Sequence, residues 1–172
     1  VRLVVFETFP QVPIAFEVEP LGMLFALLAS FLWIVTTLYS IGYLRSHQEK
    51  NQTRFYIYFA IAISSALGIA FAGNMFTLFI FYEVLTISTF PLVTHSGSDE
   101  AKRAGRIYLG ILIGTSIFLQ LTAIIWTWNI AGTLDFTVGG ILHDRASAGL
   151  TGLLIAMYVF GIGKAAVMPF HR

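Results

Sequence analysis

Apolar residues fall in long unbroken blocks along this chain, separated by short polar stretches. Soluble helices show apolar positions at every third or fourth residue, whereas blocks of about 20 suit a hydrocarbon solvent. Residues 1–19 (VRLVVFETFPQVPIAFEVE) are too interrupted to span, and Pro10 and Pro13 break any helix there. The alternation of Ala15 to Glu19, with Phe16 and Val18 on one side, predicts a short extended segment at a membrane surface. A first span covers 20–44, opened by Pro20 and closed by the interfacial aromatics Tyr39 and Tyr43.

Residues 55–93 are almost continuously apolar. One helix of that length would extend roughly 58 Å, about twice the hydrocarbon core. The stretch therefore divides, and Gly73-Asn74 is the turn signal that divides it. Spans at 55–72 and 75–93 result, the second with Pro91 as its terminator. A fourth span covers 106–128, with Trp126 and Trp128 as interface anchors. The polar, Gly-rich loop 129–148 has room for a short surface helix, and a fifth span covers 149–168. The reading is an all-α integral membrane bundle of about five helices in a single transmembrane domain.

Composition sharpens this. The chain has 172 residues, 57% hydrophobic and 11% charged, where soluble domains carry about 25% charged residues. Mean hydropathy is +0.81. No cysteine is present, which excludes disulfides, thiolate metal sites and cysteine nucleophiles. No signal-peptide pattern opens the chain, and the expectation is an internal piece of a longer membrane protein. With five spans, Arg45, Lys50, Arg54, Lys102, Arg103, Arg106 and Arg172 share one side, against Arg2 and Arg145 on the other. By the positive-inside rule, loops 45–54 and 94–106 are cytoplasmic and the N-terminus faces outward.

Small residues at four-residue spacing, Ala60, Ser64, Gly68 and Ala72, mark one face of the second span, and Gly110 and Gly114 repeat the theme in the fourth. Packing is the ordinary reading of both.

Candidate chemistry rests on two isolated charges. Glu83 sits mid-span in FTLFIFYEVLTISTF. A carboxylate there costs at least about 2.5–3.5 kcal/mol, so it faces protein or water, paired or protonated. Thr86, one turn on, is a candidate hydrogen-bond partner. A structural bond to a neighbouring helix is the plainer alternative for Glu83. Lys164 sits in VFGIGKAAVMPF, where Gly161 and Gly163 weaken the helix before it and Pro169 interrupts it after. A broken helix around a charge suits a hydrated cavity, and a desolvated lysine exchanges its proton readily. Snorkelling to the interface is the alternative. GIGK is not a phosphate loop, because the upstream Gly of that motif is absent. Opposite charges on two spans form an ion pair that offsets the desolvation of both and acts as a proton switch.

His95 and His171 follow the third and fifth spans and are candidate proton relays. For His95, a solvated interfacial loop is the plainer reading. Asp135, His143 and Asp144 lack regular ligand spacing, so no metal is expected there. No nucleophile–base set or cofactor motif appears, so neither an enzyme nor a bound cofactor is expected.

NMFTLFIFYEVLTISTFPLV, GIGKAAVMPFH and EPLGMLFALLASFLWIVTTLYSIGYL together resemble the antiporter-like membrane subunits of complex I, membrane-bound hydrogenases and Mrp cation/proton antiporters. The resemblance covers nearly the whole chain and implies helices three to seven of that fold. It implies that Glu83 and Lys164 are the ion-pair module of one inverted five-helix repeat. It also implies Trp-Leu-Pro, an eighth helix and a second repeat beyond Arg172. EPLGMLFA and KAAVMPFHR look closest to the D-type member of the Mrp antiporter subunits. The implied function is proton or cation translocation within a multi-subunit complex, with a Na⁺/H⁺ antiporter preferred. A redox-driven proton-pumping subunit is the near alternative, and a structural assembly subunit the one of another class. The implied partners are other membrane subunits, lipid, protons and Na⁺, with no nucleic acid.

Overall fold

The computed structural model describes residues 1–9 and 12–162. Lys164, Gly163, Pro169 and His171 lie outside the described residues. The chain is an integral membrane helical bundle with a small β-hairpin at its N-terminal end. Strands β1 (Arg2–Phe9) and β2 (Val12–Glu17) are followed by helices α1 (Pro20–Ser46), α2 (Gln52–Ala70), α3 (Met75–Val93) and α4 (Asp99–Thr115). A π-helical turn, Ser116–Leu121, joins α4 to α5 (Thr122–Ala131), and α6 is Ala148–Gly161. Among the described residues, four helical runs are long and apolar enough to cross a membrane: α1, α2, α3 and the continuous 33-residue run Asp99–Ala131.

The hairpin replaces the single extended segment expected at residues 1–19. β1 and β2 pair antiparallel, Arg2 opposite Glu17 and Phe9 opposite Val12, with irregular register between Val4 and Phe6 and again between Glu7 and Phe9. Pro13 fits because a two-stranded ribbon is all edge and a missing N–H there breaks no ladder.

The hairpin is seated on the α2–α3 turn. Asn74 does most of this. Its Oδ1 accepts from the Thr77 amide at 2.7 Å, an N-cap for α3, while its Nδ2 donates to Pro13 O at 2.7 Å. The Ala15 amide donates to Thr77 Oγ1 at 3.0 Å, the Gly73 amide to Ala15 O at 2.8 Å, and the Glu17 amide to Phe71 O at 2.7 Å. Gly73 eases this approach: an added Cβ would stand 3.2 Å from Ala15 O, a tight contact. The Met75 amide donates to Leu134 O at 3.0 Å, which fastens the α5–α6 loop to the same point. Arg2 adds a 2.8 Å ion pair to Asp135, and that hydrogen bond raises the guanidinium pKa further above its ordinary value.

Helix boundaries differ from the expected ones where polar caps lie in the loops. Ser98 accepts from the Ala101 amide, and Asp99 and Glu100 occupy the first turn, where acidic groups favour the helix dipole. α4 therefore starts at Asp99 rather than near 106, and the connection is only 94–98. α1 runs on to Ser46, leaving 47–51 as the α1–α2 loop. α3 continues through Pro91 to Val93, because residues after a proline can still donate: the Thr94 amide reaches Phe90 O at 3.0 Å. Residues 132–147 hold turns and no helix; Gly132 ends α5 in a left-handed conformation, φ +69°.

Two packing expectations change. The buried residues of α2 are Ala62, Ser65 and Gly68, while Ala60 and Ser64 are exposed. Three- and four-residue spacings share a helix face, and Gly68 belongs to both sets; the Phe81 ring fills the space over it that a Cβ would need. Gly110 and Gly114 have nothing near them; they line an open groove on α4. α1 touches the bundle at Gly22, against Ala70 O, and through Trp33 stacked on Phe59 at 4.8 Å, while most of its apolar surface faces outward.

Replacing Asn74 with alanine removes one cap and one hairpin bond. The expected cost is roughly 1–3 kcal/mol. Hydrogen-exchange mass spectrometry in lipid should show faster exchange at Ala15, Gly73 and Thr77. Unchanged protection would mean that Asn74 does not hold the hairpin.

Candidate functional site

Glu83 occupies the ninth of nineteen positions in α3, at the margin of the face that buries Phe79, Tyr82 and Thr86. Its side chain is half-buried, and its Oε1 is buried with no hydrogen-bond partner among the described residues. Thr86 does not supply one. Its hydroxyl donates along its own helix to Tyr82 O at 2.9 Å, the usual resting place of a threonine in an apolar helix. A carboxylate oxygen thus stands in the bundle without a donor, although Ser and Thr residues surround it in sequence.

His95 is more enclosed than a loop histidine. Its side chain is 14% exposed, its Nε2 lies 3.9 Å from Glu49 Oε2, and neither ring nitrogen has a hydrogen bond. The ring stands edge-on to Phe55, centroids 5.4 Å apart. The α1–α2 loop and the start of α2 close over it, so the two loops at this end of the bundle are in contact. Arg2 and Asp135 make the equivalent contact at the opposite end. His143 and Asp144 pair at 3.1 Å on the exposed α5–α6 loop.

α6 is helical to Gly161, and Ile162 leaves helical geometry with φ −83° and ψ 67°. Gly161 does more than weaken the helix. A Cβ there would lie 2.7 Å from Gln120 N and 2.8 Å from Gln120 Cβ, so the two backbones touch. That contact falls within the π-helical turn. Thr115 Oγ1 donates to Ile111 O and Leu112 O, each at 3.0 Å, and Ser116 Oγ donates to Ile113 O at 3.1 Å. Such bonds to the preceding turn of carbonyls are the usual resting place of serine and threonine hydroxyls inside an apolar helix. Ser116 is fully buried and Gln120 is 4% exposed, with Gln120 Oε1 lacking a partner among the described residues.

One turn before the end of α6, Tyr158 shares a 2.9 Å hydrogen bond with Thr127 and donates to Met75 Sδ at 3.3 Å. This ties α6 and α5 to the first residue of α3. Sequence reasoning passed over Gln120, whose only signal was one amide in the apolar run LGILIGTSIFLQLTAIIW.

Residues 72–172 match the family model described as NADH:quinone oxidoreductase/Mrp antiporter, TM. The chain belongs to this family. Residues 6–56 also match the model described as NADH-Ubiquinone oxidoreductase (complex I), chain 5 N-terminus, a stretch that takes in the hairpin and most of α1. Similar proteins include the putative antiporter subunit mnhA2 of Staphylococcus haemolyticus, 27% identical over 94% of this chain and 20% of that protein. The mnhA2 protein of Staphylococcus epidermidis is 28% identical over 90% of this chain and 20% of its own length. Hydrogenase-4 component B of Escherichia coli is 26% identical over 95% of this chain and 24% of its own. The chain therefore spans a fifth to a quarter of the length of these relatives. The likeness of EPLGMLFA and KAAVMPFHR to the D-type Mrp protein has no counterpart among these names.

Tyr158→Phe should cost about 0.6 kcal/mol, the mean for an interhelical hydrogen bond in a membrane protein. Equilibrium unfolding in mixed detergent micelles measures it. Thr127→Val should cost a similar amount, and the double variant no more than Tyr158→Phe alone, which also removes the bond to Met75; additive losses would show that the two hydroxyls do not share a bond.

Proposed function

We propose that this chain is part of a proton- or cation-translocating subunit of a multi-subunit membrane complex, with Glu83 and Lys164 as the translocating pair. The observation that carries this reading is the buried Oε1 of Glu83 at mid-span, without a hydrogen-bond partner among the described residues. An acidic group in that position is expensive and is functional by default. Family membership and the names of the relatives, antiporter subunit and hydrogenase component, support translocation as the activity. Glu83 adjusts the proton affinity of Lys164, and Lys164 passes the proton along the mid-membrane plane. His95 and His171 are the proposed relays at the ends of the spans, with Gly161, Gly163 and Pro169 as the interruption of the last helix. The partners are neighbouring membrane subunits and the lipid bilayer.

The orientation belongs to the same proposal. Arg45, Lys50, Arg54, Lys102, Arg103 and Arg106 lie on or beside the two loops joined by the His95–Glu49 contact. Arg2 and Arg145 lie at the end carrying the hairpin and the α5–α6 loop. The basic end is cytoplasmic by the positive-inside rule, which puts the hairpin outside. Na⁺/H⁺ exchange is the preferred coupling because two relatives are named antiporter subunits. A redox-driven pump is the second reading, favoured by the hydrogenase-4 relative.

In the full-length protein within its assembled complex, Glu83→Ala and Lys164→Ala should each lower transport about tenfold or more, a barrier increase of about 1.4 kcal/mol. The assay is pH-gradient dissipation in proteoliposomes, normalised to assembled complex. Normal specific transport in both variants would refute the pair. Loss of assembled complex with undiminished specific transport would assign the pair a structural role instead. Sodium dependence of the same flux separates exchange from a redox-driven pump.

A further inference from the structure

The run Asp99–Ala131 is longer than a bilayer requires. Its 33 residues extend about 50 Å, against roughly 30 Å of hydrocarbon. Trp126 and Trp128 mark the interface at one end. About 20 residues back from Trp126, the number that crosses the hydrocarbon, the run reaches Arg106. Arg103 and Arg106 therefore stand at headgroup level at the other interface. Both are exposed, and neither has a hydrogen bond or ion pair among the described residues, whereas Lys102 beside them is drawn to Asp99 at 3.7 Å. Steps of three and four residues carry the same helix face from Arg103 and Arg106 to Gly110 and Gly114. There it forms a groove of about 360 Å³, lined by Gly110, Ile111, Gly114, Thr115, Phe118 and Leu119. No atom lies within 4 Å of a Cβ added at either glycine, and Phe118 is 77% exposed, so the face is turned away from the bundle. The Thr115 hydroxyl is spent on Ile111 O and Leu112 O, which leaves the groove suited to an apolar chain. From Gly110 to Leu119 the rise is about 14 Å, close to one leaflet of hydrocarbon.

We infer that this face of α4 binds an anionic phospholipid, its phosphate held by Arg103 and Arg106 and one acyl chain laid along the groove from Gly110 to Leu119. Arginine forks match phosphate oxygens, and basic residues at the end of a spanning helix attract anionic headgroups. A zwitterionic lipid carries the same phosphate with a compensating amine, so two unpaired guanidinium groups favour the anionic one. Two other grooves lack this combination. One, beside Val12 and Trp128, is lined by apolar residues alone, and the other, between α1 and α2, has the carboxylate of Glu19 in its lining. The inference stands on the span, the charges and the groove, and is independent of Glu83 and Lys164.

The test is photolabelling of the full-length protein in its assembled complex, reconstituted in phosphatidylcholine vesicles that contain a minor fraction of probe lipid. The probe is phosphatidylglycerol with a diazirine on one acyl chain, and the comparison is phosphatidylcholine with the same diazirine. Labelled residues are mapped by mass spectrometry and normalised to assembled complex. Phosphatidylglycerol should label residues 110–119 several-fold more than phosphatidylcholine. Arg103→Gln and Arg106→Gln should each lower that labelling about fivefold, the ratio that corresponds to about 1 kcal/mol per basic residue. Gly110→Leu, which fills the groove, should lower it at 111–119 as well, and Arg45→Gln, a basic residue of α1 at the same end, should leave it in place. Equal labelling by the two probes would make the face ordinary lipid-exposed surface and overturn the inference. Absence of label from both would mean that another helix covers the groove, and would overturn it too. Labelling indifferent to Arg103→Gln and Arg106→Gln, or lowered as much by Arg45→Gln, would replace a defined site with diffuse surface charge. Both arginines are exposed and make no contact in the fold, so these variants test binding and not folding.

Discussion

Backbone groups at a membrane boundary need partners wherever a helix stops, and the α2–α3 turn shows how this chain provides them. Two apolar spans joined by four residues would leave the last carbonyls of α2 and the first amides of α3 without bonds. Asn74 caps α3 with one side-chain atom and holds the hairpin with the other, while Phe71 O and the Gly73 amide bond directly to β2. The same turn receives Leu134 O from the α5–α6 loop. Hairpin, turn and loop thus satisfy one another's polar groups and form the lid over the core of Val12, Phe79, Ile124 and Leu134.

From that lid the helices descend with different degrees of enclosure. α3 is packed on α2 through Phe81 over Gly68 and on α4 through Phe90 and Thr94 over Gly105. α1 is held at Gly22 and Trp33 and turns Leu24, Leu28, Phe31 and Val35 outward. Those side chains match lipid or the helices of a neighbouring subunit equally well, since both present apolar surface. Glu83 lies on the enclosed helix, which is where an acidic group can be kept without facing hydrocarbon.

Contact between α6 and the π-helical turn links this frame to the proposed path. Gly161 permits backbone-to-backbone approach to Gln120 in that turn. Tyr158 then anchors the same end of α6 to Thr127 and Met75. The end of α6 is therefore positioned by polar contacts on two helices, not by apolar packing alone. Rigid placement of this kind is what a group of finely set proton affinity requires.

Hydrophobic block length alone determined the solvent, the helical class and the division of residues 55–93 at Gly73-Asn74, because the hydrocarbon thickness sets how many apolar residues a span needs. It also singled out Glu83, because a lone charge in such a block is costly wherever it points. What periodicity could not decide was which partner each face meets. The stripe Ala60–Ser64–Gly68 and the face Ala62–Ser65–Gly68 share Gly68 and both fit a helical period, and only burial in the folded bundle tells them apart. Thr86 was within a turn of Glu83, yet its hydroxyl donates to Tyr82 O. The hairpin depended on bonds from β2 to residues about 60 positions away, and the seating of α6 on the contact of Gly161 with Gln120, 41 positions earlier in the chain. Such contacts are set by where helices cross, and only the tertiary structure decides that.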